Sequence, residues 1–373
     1  MSAQAAMLGN LVPAHIRNIS AYIPSKPDDV LREMYNCRQL YRLNNNENAL
    51  GPTPQAMEAI KKFSPRTAAI YPSGDAYHLC HRLAERFGHS PEAFLVGNGA
   101  NEVIAFVIKA FCQPGDNIIT AEKTFAVYEW VAEFSGFEAR LIPLRDYGFD
   151  AENMLRAIDE YTKILFICNP NNPTGTYWSE EKLRAFLDRV DGRQIVVLDE
   201  AYAEFVEAPD FPDGMKLLHE YPNLIVFRTF SKMYGLAALR IGYLAGNPAV
   251  VDIIRRTCVV YSVNALAQTA ALATLEDNGE HVAATRRMVS AAKAYLHAEL
   301  TAMGLFHLAG EGNYMMIRLP VSDTMIYRKL MQQGFMVRTM TGFRFPNHIR
   351  VTMNSLPVME GFIGALKSVL PGL

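Results

Sequence analysis

The chain has 373 residues, half of them hydrophobic, and its 36 basic and 38 acidic side chains give a formal net charge of −2. This composition excludes a disordered chain, which combines low hydrophobicity with high net charge. A nucleic-acid-binding function is disfavoured, because there is neither a basic excess nor a basic stripe. The length is typical of two or three structural units.

Cellular location is constrained by two absences in the sequence. No run of about 18 apolar residues is present to cross a bilayer, and the N-terminus lacks the pattern of a secretory signal. The five cysteines are widely spaced and include no CxxC or Cys/His cluster, which disfavours both a disulfide framework and a metal site. We therefore expect a cytoplasmic protein without a bound metal.

The N-terminal segment is rich in proline, which predicts an irregular arm of the kind that docks onto a partner subunit. From about residue 90, short apolar runs alternate with helical patterns, as in a parallel sheet covered by helices on both faces. The runs are rich in Val, Ile and Leu without polar alternation, as expected for strands buried on both sides. The predicted strands are 94–96, 117–120, 164–168, 195–198, 224–228 and 241–244.

The last hundred residues have a different pattern, which predicts a separate α+β lobe. Its predicted elements are a helix over 280–303, a strand over 314–319, a helix over 324–333 and strands over 336–338 and 349–351. We expect three parts in the chain. Residues 1–43 form the arm and part of the small domain, residues 44–275 the large domain, and residues 276–373 the rest of the small domain.

A glycine-containing turn at Gly97-Asn98-Gly99 follows a predicted strand and precedes a predicted helix over 102–111. Free backbone N–H groups at a helix N-terminus bind phosphate, so Ala100 and Asn101 are candidate phosphate contacts. The turn matches a dinucleotide-binding fingerprint in part, because Glu102 stands at the third glycine position.

Polar side chains follow three successive predicted strands, where ligands bind in parallel sheets. Asn172 lies in a loop with two X-Pro bonds, and Asp199 comes directly after four apolar residues. A buried carboxylate at Asp199 requires a cationic or protonated partner, and Tyr202 follows three positions later. Lys232 ends the next strand, where partial desolvation lowers a lysine pKa and favours an amine nucleophile. Three nearby side chains suit a phosphate, namely Thr229, Ser231 and Arg240.

This combination of lysine, acid, ring-oxygen donors and phosphate contacts meets the needs of pyridoxal 5′-phosphate. The segments NPNNPTG (169–175), VVLDEAY (196–202) and RTFSKMYGLAALRIGY (228–243) resemble those of fold-type-I pyridoxal-phosphate aminotransferases. Further segments at 17–22, 46–48, 70–72 and 346–352 are similar to those of histidinol-phosphate aminotransferases. The resemblance covers the chain from about residue 17 onward. It implies an α/β fold with a mostly parallel central sheet and a smaller α+β domain.

The resemblance also implies roles for cofactor-binding residues. Lys232 would bind the cofactor covalently and transfer the substrate proton, Asp199 would pair with the pyridine N–H, and Asn172 and Tyr202 would contact the ring hydroxyl. Phe125 would stack on the ring. The phosphate would be held by Ala100, Asn101, Thr229, Ser231 and Arg240, with Tyr71 reaching it from the neighbouring subunit of a homodimer.

On the substrate side, the resemblance implies Tyr22, Asn46, Arg338 and Arg350 as contacts, with the two arginines suited to a dianion. The function implied is transamination of L-histidinol phosphate with 2-oxoglutarate in histidine biosynthesis. Three alternatives stay open. They are an aromatic amino acid aminotransferase, a pyridoxal-phosphate decarboxylase of phosphorylated amino acids, and a non-enzymatic binding module, which is disfavoured because no basic helix-turn-helix segment precedes the fold.

Overall fold

Two β-sheets organise the chain in the computed structural model, which describes residues 11–17, 19–21 and 24–370. The larger sheet has seven strands in the order β2-β8-β7-β6-β5-β3-β4. Its strands are β2 (Phe94–Gly97), β3 (Asn117–Ala121), β4 (Glu138–Ile142), β5 (Thr162–Cys168), β6 (Ile195–Asp199), β7 (Leu224–Thr229) and β8 (Gly242–Gly246). Strands β3 to β7 pair in parallel, whereas β8 runs antiparallel to both β7 and β2.

Burial of the central strands on both faces explains their uninterrupted apolar sequences. Val196, Val197 and Leu198 of β6 are fully buried, as expected for a strand with neighbours on both sides and helices on both faces. Ten helices belong to this part of the chain: Pro54–Lys61, Pro65–Ala68, Tyr77–Phe87, Ala100–Phe111, Val127–Phe134, Ala151–Arg156, Glu180–Val190, Gly214–Leu217, Pro248–Arg255 and Ala265–Thr274. The Ser179 side chain caps one of them by accepting a hydrogen bond from the Lys182 N–H.

The second sheet has five strands in the order β1-β11-β12-β10-β9. Its strands are β1 (Tyr41–Leu43), β9 (His307–Leu308), β10 (Tyr314–Arg318), β11 (Phe335–Thr339) and β12 (His348–Thr352). It is accompanied by the helices Glu280–Ala302, Asp323–Gln332 and Leu356–Val369. Strand β1 pairs in parallel with β11, so residues from both ends of the chain build this sheet.

The predicted fold class is confirmed: the chain is α/β, with a mostly parallel central sheet flanked by helices. Strands β1, β4 and β9 were not predicted. The description of the N-terminal segment as irregular was wrong in part, because it contains helices at Ala14–Arg17 and Asp28–Tyr35. The domain boundaries after residues 43 and 275 stay a prediction. Within the described ranges, no helix is both long and apolar enough to cross a membrane.

Candidate active site

A cavity of about 540 Å³ lies at the carboxyl ends of β5, β6 and β7 and is also lined by residues of β11 and β12. Parallel pairing places these strand ends side by side, since Cys168 is the register partner of Asp199, and Asp199 that of Phe227. The loops that follow the three strands therefore meet at one edge of the sheet. This is the position at which open α/β sheets bind ligands.

Asp199, the last residue of β6, presents a buried carboxylate to this cavity. Its Oδ1 accepts a hydrogen bond from the Ala201 N–H at 3.0 Å, and its Oδ2 accepts one from the Tyr128 hydroxyl. Burial raises the pKa of Asp199, while these two hydrogen bonds and the charge of Lys232 lower it. The site thus holds a carboxylate oriented by two donors.

Tyr202 and Asn172 form a hydrogen-bonded group beside Asp199. The Tyr202 hydroxyl accepts from Asn46 Nδ2 at 2.9 Å and from Asn172 Nδ2 at 3.4 Å. Burial raises the pKa of Tyr202 to about 12, so its hydroxyl is protonated and able to donate at neutral pH. The Asn169-Pro170 and Asn172-Pro173 peptide bonds in the preceding loop are both cis.

Lys232 follows β7 and is half-buried in the cavity wall. Its Nζ donates to the Asn45 carbonyl oxygen at 2.7 Å and lies 6.0 Å from the centre of the Tyr202 ring. Burial, reinforced by the positive charges of Arg350 and Arg240, lowers the pKa of Lys232 to about 8. A much larger fraction of this amine than of an ordinary lysine is therefore neutral and nucleophilic near physiological pH.

One end of the cavity has the features of an anion site. The N-terminus of helix Ala100–Phe111 faces it, and Thr229, Ser231 and Arg240 also line it. The Arg240 Nη1 donates to the Ser231 hydroxyl at 3.4 Å. A Cβ atom at Gly99, whose φ is +82°, would contact the Arg240 guanidinium, so glycine suits both this backbone conformation and the close approach of the arginine to the helix.

The opposite side of the cavity contains Arg338 and Arg350, which are register partners on β11 and β12. Arg350 is buried. Its Nη2 donates to the Asn44 carbonyl oxygen at 2.6 Å, and its Nη1 donates to Asn172 Oδ1. The Nε of Arg350 has no hydrogen-bond partner among the described residues. The Arg338 guanidinium lies 5.3 Å from the centre of the Phe343 ring. The pair forms a second cationic region.

Most predicted site residues line this one cavity. Those that do are Asn46, Ala100, Asn101, Phe125, Asn172, Asp199, Tyr202, Thr229, Ser231, Lys232, Arg240, Arg338 and Arg350. Tyr71 does not line it: the side chain is 81% exposed and stacks on Tyr261 with ring centres 4.9 Å apart. Tyr22 lies outside the described residues.

The residues at this site to which the sequence reasoning gave no role include Tyr128, Glu47 and Phe343. Tyr128 is fully buried, stacks on Phe166 with ring centres 4.7 Å apart, and packs edge-on against Phe125 at 5.6 Å. In the sequence, the position of Tyr128 three residues after Phe125, near the start of a helix, was the signal that could have indicated the contact between these two rings. Glu47 and Phe343 line the cavity directly.

These residues fit pyridoxal phosphate. A lysine with a lowered pKa stands near an oriented carboxylate, two ring-oxygen donors and an aromatic side chain, and an anion site lies at the same cavity. The close approach of Arg240 to Gly99 places a guanidinium beside the N-terminus of helix Ala100–Phe111, and both line the cavity, as a phosphate site requires. The fit covers the amine, acid and phosphate-binding groups that this cofactor requires.

Comparison with known families assigns the chain to a class of enzyme. Residues 38–366 match the family model described as aminotransferase class I and II. The chain belongs to this family, as the sequence resemblance indicated.

Individual relatives within this family carry more specific names than the family model does. The chain is 40% identical to histidinol-phosphate aminotransferase 2 of Pseudomonas fluorescens, over 95% of this chain and 96% of that protein. It is 39% identical to histidinol-phosphate aminotransferase of Symbiobacterium thermophilum, over 95% and 97% of the two chains. The structure of a histidinol-phosphate aminotransferase from Sinorhizobium meliloti, described in complex with pyridoxal-5′-phosphate, superposes with a TM-score of 0.85 at 22% identity, over 96% and 98% of the chains.

The lowered pKa of Lys232 predicts a distinctive reactivity in the cofactor-free protein. Labelling by an amine-directed reagent requires the neutral amine, so the Lys232 labelling rate should rise with pH around a midpoint of about 8. An unperturbed lysine titrates near 10.4. Residue-resolved mass spectrometry across pH 6 to 11 measures the labelling rate of Lys232. The reference is Lys216, whose side chain is 83% exposed. A Lys232 midpoint indistinguishable from that of Lys216 would contradict the described environment.

Proposed function

We propose that the chain transfers the amino group of L-histidinol phosphate to 2-oxoglutarate, giving imidazole-acetol phosphate and glutamate, as a step of histidine biosynthesis. The observation that carries this proposal is the pairing of Arg338 with Arg350 in the cavity that contains Lys232. Two guanidinium groups suit the phosphate dianion of one substrate and the second carboxylate of the other. The names of the relatives support the same substrate.

The cofactor in this proposal is pyridoxal phosphate, which supplies an aldehyde that links to amines and a ring that accepts electrons. Lys232 would hold the cofactor at its aldehyde carbon, and its amine would take up the proton that leaves the substrate α-carbon. Asp199 accepts from the pyridine N–H and stabilises positive charge there. Asn172 and Tyr202 donate to the ring hydroxyl oxygen.

The remaining cofactor contacts in the proposal follow from the cavity lining. Phe125 packs on one face of the ring. The phosphate is bound by the N–H groups of the Ala100 and Asn101 backbone and by the side chains of Thr229, Ser231 and Arg240. On the substrate side, Asn46 joins the two arginines. Tyr22 stays a sequence-based proposal for the same region.

A homodimer completes the proposed site. Ile70, Tyr71, Val259, Val260 and Tyr261 are all exposed, and they are large apolar side chains that a partner subunit would cover. Because Tyr71 does not line the cavity of its own chain, we propose that it contacts the phosphate in the partner's site. The proposed location is the cytoplasm, which is consistent with five free cysteines.

The substrate proposal predicts a selective half-reaction. The holoprotein mixed with L-histidinol phosphate or with L-glutamate should show the absorbance change of amino transfer to the bound cofactor, and the change with L-phenylalanine should be slower. Stopped-flow spectrophotometry with each amino donor separately measures the three rates. Faster reaction with phenylalanine would assign the chain to aromatic amino acids instead.

Arg338→Ala provides the matched test of phosphate binding in that assay. Loss of a charged hydrogen-bond donor costs about 1.5–3 kcal/mol, so kcat/KM for histidinol phosphate should fall about 10- to 150-fold, with a smaller loss for phenylalanine. Arg318→Ala is the control, because Arg318 is an exposed arginine on β10 of the same sheet. Equal losses for both donors would mean that Arg338 does not bind the phosphate.

The proposal for Tyr71 predicts complementation between two defective chains. In a hybrid dimer of Lys232→Ala with Tyr71→Ala chains, one site has both residues intact if Tyr71 acts across the interface. The hybrid should therefore bind one equivalent of cofactor per dimer with native affinity, whereas neither parent dimer does. Cofactor titration of tagged, purified hybrids measures this. A hybrid without any native-affinity site would place Tyr71 in its own subunit's site, and native affinity in the Tyr71→Ala parent dimer would mean that Tyr71 acts in no site.

A further inference from the structure

Glu47 is the one titratable group among the described cavity-lining residues, apart from the buried Cys168 thiol, to which the proposed function gives no role. The cavity is lined by two acids, Glu47 and Asp199, and by four bases. Asp199 is assigned to the cofactor ring, Lys232 to its aldehyde carbon, Arg240 to its phosphate and the other two arginines to substrate anions. Glu47 adds negative charge to a cavity whose proposed ligands are anions, so none of the roles given above explains its presence there.

The two carboxylate oxygens of Glu47 are unequally satisfied. Oε1 accepts a hydrogen bond from Asn45 Nδ2 at 3.4 Å. Oε2 is buried and has no hydrogen-bond partner among the described residues. A buried carboxylate oxygen without a donor is costly, and such atoms in native proteins are generally satisfied by a ligand, an ion or water. Glu47 also lines the cavity, and Oε2 is the oxygen of its carboxylate that lacks a donor.

The backbone on both sides of Glu47 is held firmly. The Asn46 N–H donates to Thr352 Oγ1 at 3.0 Å, and its carbonyl oxygen accepts from Asn313 Nδ2 at 3.1 Å. Asn48 Nδ2 donates to the Met233 carbonyl oxygen at 2.7 Å. These contacts fix the position of Glu47 before substrate binds, which is the requirement for a selective acceptor.

We propose that Glu47 determines specificity by accepting a hydrogen bond from the imidazole N–H of the substrate. This inference rests on the proposed function. With the phosphate bound by arginines and the amino group engaged at the cofactor, the ring N–H is the substrate donor that remains. A phenyl ring has no N–H, so an aromatic amino acid would leave the carboxylate unpaired, and sites of this type reject such analogues strongly.

The test compares amino donors in the half-reaction of the holoprotein. In Glu47→Ala, KM for histidinol phosphate should rise about 10- to 100-fold, with kcat changed much less, because the lost contact binds the ring rather than the reacting atoms. KM for the substrate glutamate should be unchanged or lower. Glutamate has no ring N–H to donate, and the substitution removes a protein carboxylate that repels it. Glu47→Gln, which keeps an acceptor oxygen, should recover part of the affinity.

Controls separate this role from a structural one. Glu58→Gln, a substitution of the same type at an exposed glutamate of helix Pro54–Lys61, should leave every rate at the native value. The absorbance of the bound cofactor and the glutamate half-reaction report whether each Glu47 variant is folded. Equal losses with glutamate and histidinol phosphate, or no change in selectivity, would overturn the role of Glu47 while the proposed function stands. A native protein that reacts with glutamate but not with histidinol phosphate would overturn both.

Discussion

The buried carboxylate of Asp199 is the constraint on which the site depends. A charge at the end of a central strand costs several kcal/mol unless it is compensated, and burial does raise the pKa of Asp199. The structure compensates with the Tyr128 hydroxyl, the Ala201 N–H and the nearby charge of Lys232. Because Asp199 also lines the cavity, the protonated ring nitrogen of the proposed cofactor would complete its environment. The proposed cofactor chemistry follows from this requirement.

The sheet topology supplies the other groups at the right positions. Parallel pairing of β5, β6 and β7 brings three strand ends together, so the loops that carry Asn172, Tyr202 and Lys232 converge although they are about 30 residues apart in sequence. The second sheet contributes Arg338 and Arg350 from paired strands. The proposed residues for the cofactor ring therefore follow strands of the larger sheet, and the proposed substrate-binding arginines lie in the smaller sheet. This separation allows substrate preference to vary while the amine chemistry is kept.

The sequence was sufficient to predict the family and the fold class, both of which are confirmed, because the motifs around Asp199 and Lys232 are local in sequence. Strand β4 was not predicted, because its residues are half-buried or exposed and lack the uninterrupted apolar pattern of its neighbours. The unpaired oxygen of Glu47 and the Tyr128 contact depend on packing between distant segments. The roles of the site residues stay predictions, since placement in one cavity is not a measurement of chemistry.

In the proposed site, Asp199 would keep the cofactor ring nitrogen protonated. The nitrogen-15 chemical shift of labelled pyridoxal phosphate bound to the protein measures this protonation state directly. If Asp199 has this role, the native protein should show the shift of a protonated pyridine nitrogen, and Asp199→Ala should show that of a neutral nitrogen. A neutral nitrogen in the native protein, or a protonated one in both proteins, would contradict it.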